Sequence, residues 1–223
     1  MNLRSGRLPF QVQLIDSPSA VTAHAGLPLV IEAFRSLGLR DTVRDHFGFK
    51  QRARGYSEAT CIEALVTLLA AGGECVDDVR VLQADEGLKR LWGRKALPAA
   101  ETLRAFLNRF HDADAVAARV PHTAFVPADS EGLKALGVVQ SHLLRELQQR
   151  SPQARATLDV DATIIESAKR AALPVYEGGT GYQPLQVWWA EQGVWVKSQF
   201  RDGNVPAAYA VRAFLERAFG ALP

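Results

Sequence analysis

Thr157-Leu158-Asp159-Val160-Asp161-Ala162-Thr163 is the stretch whose reading decides the fold. In an extended strand, side chains alternate between faces. Leu158, Val160, Ala162 and Ile164 then fill one side, while Thr157, Asp159, Asp161 and Thr163 line the other. Two carboxylates share a face. Asp is depleted in strands and like charges repel, so an Asp-x-Asp strand is unfavourable unless a cation or phosphate chemistry uses it. Asp159 and Asp161 are therefore the best site candidates in the chain. The plain alternative is a frayed strand end with two solvated carboxylates.

Downstream, a run with few apolar anchors leads to Gly178-Gly179-Thr180-Gly181, which lacks the Gly-Lys-Ser/Thr of a phosphate-binding loop and reads as a flexible turn. Pro184 to Trp189 and Val194 to Phe200 are strand-like runs joined by Ala190-Glu191-Gln192-Gly193, which predicts a β-hairpin with its tryptophans packing the faces. Arg201-Asp202-Gly203-Asn204 reads as a turn. Asn204 is placed as an N-cap and Pro206 in a first helical turn, ahead of an apolar stripe through Ala210, Val211, Phe214, Leu215 and Ala218.

Upstream the period is helical. Phe10 to Ile15 is a short strand-like run in an N-terminal arm. Pro28 opens a helix with Leu29, Val30, Ala33, Phe34 and Leu37 on one face, ended by Gly38. Ser57 caps a helix carrying Ala59, Ile62, Leu65, Val66, Leu68 and Leu69, which stops at Gly72-Gly73. Asp77 is read as the cap of the next helix, Thr102 to Phe110 as a further one, and Ser130 as the start of a long amphipathic helix through Leu133, Leu136, Val139, Leu143, Leu144 and Leu147. Helical period gives way to period two near Arg155. That change divides the chain into a helical region, 1–152, and a strand-bearing region, 153–223.

Two basic clusters suggest a nucleic-acid partner. Phe47 to Tyr56 interleaves Lys50, Arg52 and Arg54 with Phe47, Phe49 and Tyr56, a mixture suited to neutralising phosphates and stacking on bases. The alternative tucks the aromatics into the core. Lys89, Arg90, Arg94 and Lys95 form the second cluster, with Arg104 and Arg109 on the helix that follows. Composition neither demands nor forbids a polyanion: the 223 residues are 48% hydrophobic and 22% charged, with a formal net charge of +2. No segment approaches the ~20 apolar residues that cross a bilayer, so the expected location is the cytosol. Cys61 and Cys75 have no CxxC or Cys/His pairing and are read as buried reduced thiols, and the five histidines show no ligand spacing.

Strand, hairpin and helix, with carboxylates on the first strand, is the opening order of an RNase H-like fold. The run Leu158-Asp159-x-Asp161-x-Thr163, then Gly181-Tyr182-x-Pro184-Leu185 and Arg201-x-Gly203-Asn204, resembles the start of the catalytic domain of DDE-type insertion-sequence transposases. Ala25-Gly26-Leu27, Gly72-Gly73 with Asp77-Asp78, Leu82-x-x-Asp85, and Leu97-Pro98 with Thr102 and Phe106 resemble the helical N-terminal region of the same group. The resemblance implies an α+β chain: a helical DNA-binding region, then an incomplete RNase H-like start of three antiparallel strands plus a helix. It also implies cutting and joining of double-stranded DNA at transposon ends, with two Mg²⁺ (or Mn²⁺) held by three acidic residues. Asp161 takes the place of the first acid and Asp159 that of its neighbour or substitute. The second Asp and the Glu have no counterpart here, so the expected chain is a truncated fragment, inactive alone, with a homodimer left open. Glu166, Glu177 and Asp202 are the reserve acids.

Asp159-x-Asp161-x-Thr163 is also similar to the first motif of haloacid-dehalogenase-type phosphatases, where the first Asp attacks phosphorus and the second is the general acid. That alternative requires the strand in a parallel sheet. A third reading is a DNA-binding remnant without catalysis.

Overall fold

The computed structural model describes residues 21–49, 55–120 and 123–223. The Phe10 to Ile15 run and the cluster Lys50, Arg52 and Arg54 lie outside the described residues.

Pro28 sits in the first turn of α1 (Leu27–Ser36), where its missing N–H breaks no helical bond. The stripe that α1 buries is Leu27, Ile31 and Phe34. It is rotated from the expected one, and Leu29 is 75% exposed. Gly38, at φ +69°, turns the chain into α2 (Leu39–His46). The sequence reading did not assign this helix, because its buried face is only Leu39 and Val43. Ser57 caps α3 (Glu58–Ala70) as expected, its Oγ accepting from Thr60 N at 3.2 Å, and Gly72 at φ +83° follows the end.

Asp77 and Asp78 lie in a 3₁₀ turn (Val76–Asp78) rather than capping a helix through Asp77. Asp78 instead accepts from the N–H groups of Glu74 and Cys75, which holds its carboxyl below the usual carboxylate range. After α4 (Val79–Ala84), Asp85 caps α5 (Glu86–Trp92) by accepting from Leu88 N at 2.8 Å. α6 (Ala100–Leu107) continues into a 3₁₀ turn (Asn108–Phe110) and is followed by the short α7 (Ala113–Ala117). α8 (Glu131–Arg150) begins at Ser130, whose Oγ accepts from Leu133 N. Its buried positions are Gly132, Ala135, Val139 and Leu144, whereas Leu133 and Leu136 are exposed. Cys61 is buried but Cys75 is exposed, which corrects the expectation that both thiols are interior.

The helical region has two adjoining apolar cores. One gathers Leu68, Val79, Leu82, Leu88, Trp92 and Leu103. The other joins Phe34, Val43 and Phe47 to Ala135 and Val139 of α8. Between them, Phe47, Phe49, Phe106 and Phe110 meet edge to face at centroid distances of 5.2–6.1 Å. This geometry suits the ring quadrupole. It also corrects the base-stacking reading of Phe47 and Phe49, whose rings are packed into the cores. Tyr56 likewise packs against the first core and donates its hydroxyl to Leu97 O at 3.1 Å.

β1 (Leu158–Ala162) lies beside a hairpin of β5 (Leu185–Trp189) and β6 (Val194–Gln199), all antiparallel, in the order β1-β5-β6. Leu158, Val160 and Ala162 face Trp189, Val187 and Leu185 in register. On that face Leu158, Ala162 and the β5 residues pack with Leu144 of α8 and with Phe214 and Ala218 of α9 (Val211–Phe219), whereas Val160 is exposed. α8 thus serves the helical core with one end and the sheet with the other. The result is an α+β architecture, as expected.

Two features went unanticipated. Residues 165–182 form a second small antiparallel sheet, β2 (Ile165–Glu166), β3 (Leu173–Pro174) and β4 (Thr180–Tyr182), in the order β2-β4-β3. Gly181 permits it, since a Cβ there would collide with Ile165 O. The last helix also starts later than expected, so Asn204 is not its cap and Pro206 is not in its first turn. Arg201 is the reason: fully buried, it donates through Nη1 to Pro206 O, Ala207 O and Tyr209 O, which wraps that segment around the guanidinium. Among the described residues, no helix is long and apolar enough to cross a membrane.

Candidate functional site

The Asp-bearing strand is fixed at both ends. Thr157 donates through N and Oγ1 to the carboxylate of Glu191 in the hairpin turn, at 2.8 and 2.6 Å, and these bonds hold the Glu191 carboxyl below its ordinary range. Beyond the strand, Thr163 N donates to Pro184 O. Between the anchors, Asp159 and Asp161 stand opposite Trp188 and Gln186 on the face turned away from α8 and α9. Both are exposed. Trp188 pairs with Trp195 on the same face, centroids 4.9 Å apart. No hydrogen bond or ion pair from the described residues engages either carboxylate, which leaves hard oxygens on an open sheet face.

Asp161 additionally lines a cavity of about 530 Å³ between the two sheets, shared with Pro174, Tyr176, Gln183, Gly203 and Asn204. A hydrogen bond with Glu177, with the charges of Glu177 and Asp161, pushes the Tyr176 hydroxyl up. Asn204 donates through Nδ2 to Thr123 O at 3.1 Å, while its Oδ1 is buried with no partner among the described residues. Gly203 sets Asn204 in place, because a Cβ at Gly203 would come within 2.5 Å of Leu173 O and 2.7 Å of Gly181 O. Sequence alone marks Asn204 as part of a motif and as a helix cap. That Asn204 shares a cavity with Asp161 becomes visible only after folding. Among the described residues, no three His, Cys, Asp or Glu side chains converge as a metal cage. Of the reserve acids, Asp202 is tied to Arg119 at 2.8 Å, Glu177 to Tyr176, and Glu166 sits on β2 opposite Gly181.

The second basic cluster divides into separate environments. Lys89 is paired with Glu86 at 2.6 Å and is only 12% exposed, while Arg90 and Lys95 are exposed. Arg94 turns inward to Glu63. Glu63, fully buried on α3, accepts from Arg35 Nε at 2.6 Å, Arg40 Nη1 at 2.8 Å and Arg94 Nη2 at 2.7 Å. Burial alone would raise the Glu63 carboxyl. Hydrogen bonds from Arg35 and Arg94 and the charges of Arg35 and Arg40 outweigh burial and hold it below the carboxylate range. Sequence reasoning missed Glu63, Arg35 and Arg40. The available signal was a lone carboxylate on the inward face of an otherwise apolar helix.

The antiparallel pairing of β1 removes the structural condition for the phosphatase alternative, a parallel sheet. No curated protein and no solved structure matches the chain. The family model of the transposase DDE domain, group 1, matches residues 10–221 and so takes in both the helical region and the acidic strand. The chain belongs to the DDE transposase family, and its place is in DNA transposition.

Proposed function

We propose that this chain serves metal-dependent cutting and joining of double-stranded DNA at transposon ends. In this reading residues 1–152 hold the DNA and residues 153–223 carry the first part of the catalytic site. The observation that carries the reading is the state of Asp161 in a DDE family member: exposed, without a hydrogen bond or ion pair from the described residues, on an anchored strand that lines a cavity. Asp161 is assigned as the first metal-holding carboxylate and Asp159 as its neighbour. Strand rise places the two about 6.6 Å apart along β1. Carboxylate oxygens suit Mg²⁺ or Mn²⁺, which when bound supply charge neutralisation at the phosphate and an activated water or 3′-hydroxyl. The protein's own contribution is to hold these oxygens on a rigid strand, with Thr157 and Thr163 pinned to the hairpin.

One strand supplies only part of a two-metal cage, which takes ligands from several elements. With Asp202 paired to Arg119, the 223-residue chain by itself is assigned weak Mg²⁺ binding and little nicking. Lys89, Arg90, Arg94 and Lys95, with Lys50, Arg52 and Arg54, remain assigned to DNA contact, and a second copy of the chain is a partner to test for. Mn²⁺ binding, followed by water-proton relaxation, tests the centre. Weak binding abolished by Asp161→Asn is expected. Binding indifferent to both Asp161→Asn and Asp159→Asn overturns the assignment. Strong Asp161-dependent nicking would instead place the remaining ligands within the chain, with Glu166, Glu177 and Asp202 first to test.

A further inference from the structure

From the ionic cluster on the helical region we infer that Arg35, Arg40 and Arg94, gathered on the buried Glu63 carboxylate, form a phosphate-binding site for the DNA backbone. The inference rests on the DNA-transposition reading and joins Arg94 of the second basic cluster to Arg35 and Arg40, which lie outside the expected clusters.

Three cations converge on one anion. Glu63 has no exposed side-chain surface, whereas Arg35 and Arg40 are 35% and 36% exposed and Arg94 is 18% exposed. Each guanidinium carries five N–H donors in a planar fork. Arg35 spends only Nε and Arg40 only Nη1 on Glu63, so both have further donors without an acceptor among the described residues. Arg94 uses Nη2 for Glu63 and Thr60, and its Nε is buried with no acceptor among them. Glu63 neutralises one of the three charges. A carboxylate needed only as a brace between α1, α2 and α3 is satisfied by one or two arginines. The third leaves two uncompensated positive charges in partial burial, which repel one another unless an anion sits over them.

Forked donors around an excess of positive charge match phosphate oxygens, and guanidinium is suited to that geometry. Glu63 acts as the template. It fixes the forks from below, so that little side-chain entropy is lost when a phosphate arrives.

The test is fluorescence anisotropy of the 223-residue chain with a duplex of about 25 base pairs over a series of NaCl concentrations. Each phosphate contact contributes about 0.9 to the slope of log K against log salt. Arg40→Gln and Arg35→Gln are each expected to reduce the slope by about that amount, with circular dichroism confirming the fold. Arg40→Lys keeps the charge and is expected to keep the slope. Arg44→Gln removes a cation already paired with Asp41 and Asp45 and is expected to change nothing. Salt-sensitive DNA binding unaltered in folded Arg40→Gln and Arg35→Gln overturns this site and leaves the DNA-binding reading standing. An absence of salt-sensitive binding in the unmodified chain overturns both. Equal displacement by polyglutamate overturns the assignment to phosphate.

Discussion

Glu63 and Asp161 are both carboxylates in a DDE transposase, and the molecule treats them in opposite ways. Glu63 on α3 is wholly buried, with three arginines on it. Asp161 on β1 is exposed, with no hydrogen bond or ion pair from the described residues. Burying an ion costs several kcal/mol unless partners compensate, so the first arrangement persists only because it is over-satisfied. An exposed carboxylate costs little in the folded state, and its oxygens stay available. The Glu63 carboxylate braces helices from within, while the Asp161 carboxylate stands open on the sheet face. Substitutions should separate the two by size of effect.

The largest loss is expected at Glu63. Glu63→Gln leaves Arg35, Arg40 and Arg94 facing one another without an anion, and breaking such a buried set costs about 3–5 kcal/mol. Urea denaturation would measure it. A cost under about 1 kcal/mol would mean that Glu63 contributes no more than a surface ion pair.

Next comes the loop that sets Asn204 beside Asp161. Gly203→Ala places a methyl group within 2.5 Å of Leu173 O, and overpacking of this kind costs about 1–3 kcal/mol. The neighbour is backbone, so the strain cannot be relieved by a side-chain rotation. A melt indistinguishable from that of the unsubstituted chain would show that β3 and β4 yield easily.

A smaller effect, with its own pH signature, belongs to Asp85. Burial raises its carboxyl, but hydrogen bonds from His24, Thr22 and Leu88 N outweigh it and bring the value to about 2. A carboxyl whose folded value is depressed adds stability above its ordinary value of 3.8, and that stability is lost as pH falls through about 2. Asp85→Ala should therefore cost about 1–2 kcal/mol near neutral pH, the range for loss of a helix N-cap, and the difference should shrink between pH 4 and pH 2. A difference independent of pH would assign the effect to packing instead.

How much of this is legible in the sequence depends on whether the signal is local. Ser57 and Ser130 announce their helices, because a cap hydroxyl acts within three residues. β1 and the hairpin are legible from period two, and antiparallel pairing follows from the short turn at 190–193. The misses need long-range contacts. Asn204 has the chemistry of a helix cap, yet α9 begins only at Val211, because the Arg201 guanidinium takes the carbonyls of Pro206, Ala207 and Tyr209. Nothing in the local sequence marks a buried arginine. The sheet of residues 165–182 escapes because its strands are two or three residues long, too short to show a period. Asp161 is legible as a candidate from its neighbours alone, while the cavity it shares with Asn204 and the arginines around Glu63 come together only through the fold.

The smallest effect on stability, and the sharpest break between the two carboxylates, is expected at Asp161 itself. The side chain is exposed and makes no hydrogen bond or ion pair with the described residues, so Asp161→Asn should change unfolding free energy by no more than about 0.5 kcal/mol. The sign should be slightly favourable without metal, since neutralising Asp161 relieves its repulsion with Asp159, which lies on the same face about 6.6 Å along the strand. Adding Mn²⁺ should reverse the order. A cation that binds the folded state stabilises it by mass action, and only the chain retaining Asp161 can gain fully from it. Thermal melts of the two proteins with and without Mn²⁺ read both signs at once. The comparison with Glu63 predicts a crossover at Asp161 and none at Glu63, where the loss is the same with or without metal. A large metal-independent loss at Asp161 would make it a structural carboxylate like Glu63 and would remove the basis for placing the catalytic centre on β1.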